Sequence, residues 1–238
     1  MYHHSDHKIS PAENGLPTKI HDEETELPTR VLAVGTPNLH LECPQEDKEG
    51  KRPKGKYLTL SHCWGTDRKK LPLQTTKGNL EAYKLGIEFD QLPKSFQDAV
   101  TIARKIDVQY LWIDSLCIIQ DDRADWEKES QKMAQVFSSA YCTISATSAK
   151  NSHEGFLSFP KQKVVKIIDG ETSRFAVYAS IVDKSFKQAV DEDGLLNKRG
   201  WVFQERALSR RTIHFTESRT FWECGSAIRY DNLSQLTR

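Results

Sequence analysis

Three short apolar runs stand between residues 57 and 146, namely YLTL (57–60), VQYLWI (108–113) and YCTISA (141–146), with stretches of helical period between them. This alternation of strand, helix, strand, helix, strand demands a sheet with parallel strands and helices packed on its faces. The first helix is expected over Ser95 to Ile106, where Phe96, Ala99, Val100, Ala103 and Ile106 share one face. Ser95 and Asp98 have the spacing of a capping box, and Pro93 lies just upstream. Asp121-Asp122 can cap a second helix that runs to about Phe137, with Trp126, Met133, Val136 and Phe137 on its inward stripe. An earlier short strand is expected at Arg30 to Val34. Later come a β-rich hairpin near 163–182, a helix over Arg199 to Leu208, and a hairpin of Ile213 to Phe215 with Thr220 to Cys224. The expected fold class is therefore α/β, a mostly parallel sheet flanked by helices, with an insertion at about 150–198 and a C-terminal hairpin. Residues 1–28 lack apolar periodicity and read as a flexible arm before one domain at 29–238.

Composition narrows the function classes. Among 238 residues, 34 Lys and Arg face 33 Asp and Glu, a net charge of +1, so no cationic excess marks the chain for nucleic acid or anionic membranes. No apolar run approaches the roughly 18 residues of a spanning helix. The N-terminus has no apolar signal core, and five widely spaced cysteines do not form a disulfide framework. A cytoplasmic, soluble protein is expected. His3, His4 and His7 read as a solvated tail rather than a metal site, and Lys51, Arg52, Lys54 and Lys56 as a solvated loop rather than a phosphate site.

In an open parallel sheet, ligands collect beyond the carboxyl ends of the strands. Those ends carry Ser61 to Gly65, Asp114-Ser115 and Ala146-Thr147-Ser148, residues that suit either a sugar or nucleotide crevice or ordinary turns and caps. Glu129 or Ser130 interrupts the apolar stripe of the second helix; a carboxylate paired with Lys or Arg is the simpler reading for an inward Glu129. Cys63, Cys117, Cys142 and Cys224 with His62 and His214 lack zinc-site spacing and read as buried small residues, with no metal expected. Trp201 and Glu205, four apart on one helix, share a face. Together they suit a stacked ring and a held ribose, or else Glu205 pairs with Arg199, Arg206 or Arg210.

The segments LPTRVLAVG (27–35), YLTLSHCWG (57–65), LPKSFQDAV (92–100), YLWIDSLCIIQDD (110–122), DWEKESQKM (125–133), ISATSAKNSHEGF (144–156) and RGWVFQERALSRRTIHF (199–215) resemble, in order, those of the fungal HET (heterokaryon incompatibility) domain family. The resemblance implies a role in non-self recognition between fungal cells that ends in programmed cell death, a form of fungal innate immunity. A remoter resemblance, to TIR domains, implies a TIR-like (flavodoxin-like) sheet, self-association and hydrolysis of NAD. It implies Glu205 as the catalytic carboxylate. Ser61, Trp64, Gly65, Asp114, Ser115 and Trp201 are then expected to bind the substrate, with no metal and no prosthetic group. The implied partners are further copies of the chain and an upstream signalling protein, with neither nucleic acid nor membrane. The competing reading is a non-enzymatic adaptor that works by self-association or partner binding.

Overall fold

The computed structural model describes residues 24–67, 71–157, 164–167, 177–180, 184–196, 200–217, 219–225 and 227–231. The chain runs β1 (Thr25–Glu26), β2 (Val31–Ala33), β3 (His40–Glu42), β4 (Lys54–Gly55), β5 (Tyr57–Ser61), α1 (Leu80–Leu85), α2 (Lys94–Lys105), β6 (Tyr110–Trp112), α3 (Asp114–Cys117), α4 (Arg123–Ser139) and β7 (Cys142–Ser145). It continues with β8 (Val164–Ile167), β9 (Val177–Ser180), a π-helical turn (Lys187–Glu192), α5 (Gly200–Leu208), β10 (Arg211–Phe215), β11 (Thr220–Cys224) and β12 (Ala227–Asp231). The fold is α/β, and β8 and β9 form the antiparallel hairpin expected in the insertion.

The main sheet has eight strands in the order β12-β11-β10-β7-β5-β6-β2-β3. Its centre is parallel: β5 pairs with β6 and β7, and β7 pairs with β10. The flanks are antiparallel, with β2 and β3 on one side and β11 and β12 on the other, so the sheet is more mixed than the sequence pattern implies. The chain steps from β5 to β6 on one side and then crosses back to β7 on the other. In open α/β sheets such a reversal marks the ligand-binding end, here the carboxyl ends of β5 and β7.

Strand alternation gives the two faces of the sheet different chemistry. One face presents Leu58, Leu60, Leu111, Ile113, Cys142 and Ile144, all buried against Phe96, Ala99, Val100 and Ala103 of α2. The other begins with Tyr57 and Trp112 against Val136 and Phe137 of α4. There the Tyr57 hydroxyl donates to the Val136 carbonyl at 2.7 Å, and the Trp112 and Phe137 rings meet edge to face. Towards the carboxyl ends the same face turns polar, carrying the buried Thr59, Ser61, Thr143, Ser145, Thr212 and His214.

Three local expectations are corrected. Trp126 is 46% exposed, and the inward stripe of α4 begins instead with Asp125 and Glu129. The reason is electrostatic: buried Arg30 reaches Asp125 Oδ2 at 2.5 Å and the Cys117 carbonyl at 2.7 Å, while Lys132 reaches the buried Glu129 at 3.2 Å. The Ser95–Asp98 capping box does not form. Pro93 stands at the N-cap of α2, and buried Asp98 accepts from the amides of Phe156 and Leu157, which ties the 150s loop to that helix. The expected arm is anchored at its end, where β1 pairs with β4 and Leu27 is buried. Residues 1–23, with His3, His4 and His7, lie outside the described residues.

Arg30 joins β2 to α3 and α4, and its removal strands Asp125 in a site that is mostly closed to water. Arg30→Ala is expected to lower the unfolding free energy by about 3 kcal/mol. Chemical denaturation measures this, and a loss below about 1 kcal/mol would show the pair to be replaceable by solvent.

Candidate active site at the carboxyl ends of the parallel strands

Glu205 sits on the inward side of α5. Val202, one turn earlier, is buried against Cys63 and Leu196, and Ser209, one turn later, donates its hydroxyl to the Glu205 carbonyl at 2.6 Å. That stripe at i, i+3 and i+7 turns the Glu205 carboxylate onto the sheet, where it is 8% exposed and accepts a short hydrogen bond from the Ser61 hydroxyl. Ser61 ends β5 and lies level with Ser145 of β7, in turn level with His214 of β10. One residue row back, Thr59 bonds Thr143 at 2.7 Å, and Thr143 bonds Ser209 at 2.7 Å. Ser145 and Thr147 join at 3.0 Å. The helix bearing Glu205 therefore faces a hydroxyl-lined floor at its middle, between the apolar contacts of Val202 and Leu208.

A second group gathers around Asp114, where β6 passes into α3. Its Oδ2 accepts from the Trp64 indole N–H at 2.9 Å, and its Oδ1 accepts from the Ser115 amide at 2.7 Å. His62 Nδ1 stands 4.0 Å from the same carboxylate, and the buried imidazole meets Phe96 edge to face. The Ser115 hydroxyl is fully buried with no hydrogen-bond partner among the described residues. Gly65 has φ +95°, and a Cβ there would lie 3.0 Å from Asn151, so this glycine shapes the turn after β5.

The expected residues thus form two adjacent groups rather than one crevice. Ser61 meets Glu205, and Trp64 and Ser115 meet Asp114. The last residue of β5 and the next one divide them, because Ser61 meets Glu205 on the α5 face and His62 packs on Phe96 of α2. Trp201 lies in α5, but its side chain is outside the described ones. Glu129 is inward, at 2% exposure, and paired with Lys132 as its simpler reading expects. Among the described residues no three His, Cys, Asp or Glu side chains converge as metal ligands. The thiols of Cys117 and Cys142 are pushed up to about 12 by burial, out of the range of reactive cysteines.

Hydroxyls of Thr59, Thr143 and Ser145 escaped the sequence reading, which named Thr147 only as a strand-end residue. Their signal was there: TLS, TISAT and TIHFT place a hydroxyl at every second position of three strands, with His214 in one such slot.

A family model described as Heterokaryon incompatibility protein (HET) matches residues 57–205, which opens on β5 and closes on Glu205 itself. The chain belongs to the HET family. No curated protein and no solved structure matches it. Among the described residues, no helix of this HET domain is long and apolar enough to cross a membrane.

A clamp fixes the pitch of α5 in the HET domain. Arg206, next to Glu205, makes a two-pronged pair with Glu223 of β11 at 2.8 and 2.9 Å and reaches Asp191 of the π-helical turn at 2.6 Å. His214 Nε2 lies 2.8 Å from Glu223, and the Phe186 ring lies under Arg206 and makes T-shaped contacts with His214 and Phe221. Burial keeps His214 below its usual range, against the pull of Glu223, so the neutral ring donates from Nε2. Burial raises Glu223, but hydrogen bonds from His214 and Arg206 outweigh it and hold the carboxyl at about 2. A depressed carboxyl contributes stability above its unfolded pKa and loses it as the pH falls towards the folded one. Glu223→Gln is therefore expected to be less stable than the parent at pH 7, with the gap closing between about 4.5 and about 2 in denaturation curves. A gap that is flat with pH would remove the clamp.

Proposed function

We propose that this HET domain acts in the cytoplasm in fungal non-self recognition and triggers cell death by hydrolysing NAD at the nicotinamide–ribose bond. The observation that carries the reading is the buried Glu205 carboxylate at the reversal point of the parallel sheet, held by Ser61 at the end of the central strand. In chain order the parallel strands run 2-1-3-4 across the sheet, which is the order of flavodoxin-like sheets and supports a TIR-like reading.

In this chemistry, water adds to the anomeric carbon of the ribose, the glycosidic bond breaks with its electron pair to the pyridinium nitrogen, and one proton is released to solvent. The ring leaves as neutral nicotinamide, so no general acid is needed. Positive charge builds on the ribose in the transition state, and a fixed carboxylate in a closed site stabilises it far better than water does. Glu205 supplies that charge. Ser61 orients it, and Trp64 with Asp114 forms the neighbouring wall at the strand ends.

The closure around Glu205 favours the adaptor reading in one respect, since substrate must displace part of what covers the carboxylate. On the enzymatic reading, self-association opens this contact. Glu205→Gln is expected to reduce nicotinamide release from NAD by about 100-fold or more, and Ser61→Ala by about 10-fold, in clustered protein. Turnover undiminished in Glu205→Gln, or none at all from clustered parent protein, would leave the adaptor reading standing.

A further inference from the structure

A cavity of about 290 Å³ opens beyond the carboxyl ends of β7 and β10. Its lining includes Thr147 and Thr216, within two residues of the ends of those strands. Thr147 is bonded to Ser145, which lies level with Ser61, so the lining continues the hydroxyl row that ends at Glu205. Its wall includes Leu195, and the next residue, Leu196, packs on Cys63 and Val202, the neighbours of Ser61 and Glu205. Gly194 closes the wall tightly, since a Cβ there would lie 2.2 Å from the Val190 carbonyl and 3.0 Å from Thr147.

The charges at the rim select an occupant. Two carboxylates, Asp193 and Glu217, stand with one ammonium, Lys184, which Asp193 already binds at 2.7 Å. A net negative rim repels phosphate and suits a cation with hydrogen-bonding groups. The cavity is near the lower limit of small-molecule pockets and suits a single ring rather than a dinucleotide.

We propose that this cavity is the subsite for a cationic pyridinium carboxamide ring, the leaving end of the dinucleotide, with the ribose at Glu205 and the pyrophosphate kept outside. This rests on the NAD reading for the identity of the ring. The cavity, its charge and the link from Thr147 through Ser145 to the row of Ser61 do not depend on that reading. The same arrangement disfavours the carboxylate analogue, because an anion of the same size meets Asp193 and Glu217.

The test is calorimetric titration of the whole chain at low salt with N1-methylnicotinamide, a cation without ribose, and with nicotinate, an anion. The methylated cation is expected to bind at least about tenfold more tightly than nicotinate. Ser148→Phe, which fills the cavity, and Glu217→Lys, an exposed reversal of rim charge that guards against misfolding of the first variant, are each expected to weaken the cation by about tenfold. Equal binding of both probes, binding indifferent to both variants, or no binding of the cation overturns the subsite. The two readings fail separately. Cation binding with these dependencies but no turnover of NAD removes the catalytic reading and keeps the subsite. Turnover that depends on Glu205, with ring binding indifferent to both variants, does the reverse.

Discussion

A carboxylate taken out of water needs donors and a reason to be there, and Glu205 is the group around which this end of the molecule is arranged. Its position follows from two independent fits. Along α5, Val202 and Ser209 bracket it and leave only one rotation of the helix that buries the apolar residue and satisfies the hydroxyl. Across the sheet, the register that sets Leu58 opposite Cys142 also sets Ser61 opposite Ser145, at the last paired row of β5. A slip of one residue would turn the Ser61 side of β5 to the α2 core and bring His62 under the helix. Burial of Leu58 and Leu60 against α2 forbids that slip, so the dry face of the sheet fixes the chemistry of the wet one.

The polarity of the α5 face also has a cost that the clamp offsets. Between the apolar contacts of Val202 and Leu208, α5 rests on Thr59, Thr143, Ser61 and their hydrogen bonds, each worth about 1 kcal/mol net. Arg206 restores rigidity from the other side, tying the residue next to Glu205 to β11 and to the π-helical turn. Phe203, on the outer side of the same helix, is 80% exposed, so inward contacts rather than a sandwich of two faces hold the helix.

The sequence made β5, β6, β7, α2, α4 and the hairpin of β10 and β11 legible because each is an apolar run or stripe bounded by breakers. It hid β3 and β12, since His40–Glu42 and Ala227–Asp231 are short or polar edge strands that only their neighbours specify. It also hid what Trp126 and Asp98 do, because both depend on remote partners: a buried Arg30 that needs Asp125, and a loop whose amides need Asp98. For the site, the spacing of Trp201 and Glu205 drew the eye to α5, yet Val202 and Ser209 are what aim the carboxylate. That the strand-end residues divide into two groups was implicit in the alternation of Ser61 and His62, and only the placement of Asp114 beyond β6 made it visible.

The division into two groups constrains any ligand. Asp114 holds Trp64 in place beyond the end of β5, while Glu205 stands over the last residue of that strand, so a molecule that touches both must bend around Gly65 and the strand tip. On the proposed NAD reading, a flexible dinucleotide would do so with its reacting sugar at the carboxylate and its remaining length leaving the sheet on the Trp64 side. A rigid ligand cannot. On that reading the cover over Glu205 is compatible with chemistry, because Ser61 covers it from the strand with a hydroxyl and a ribose brings hydroxyls of its own. Exchange of Ser61 for a sugar hydroxyl keeps the charge of Glu205 satisfied throughout, so opening the contact for such a substrate demands far less than exposing the carboxylate to an apolar ligand.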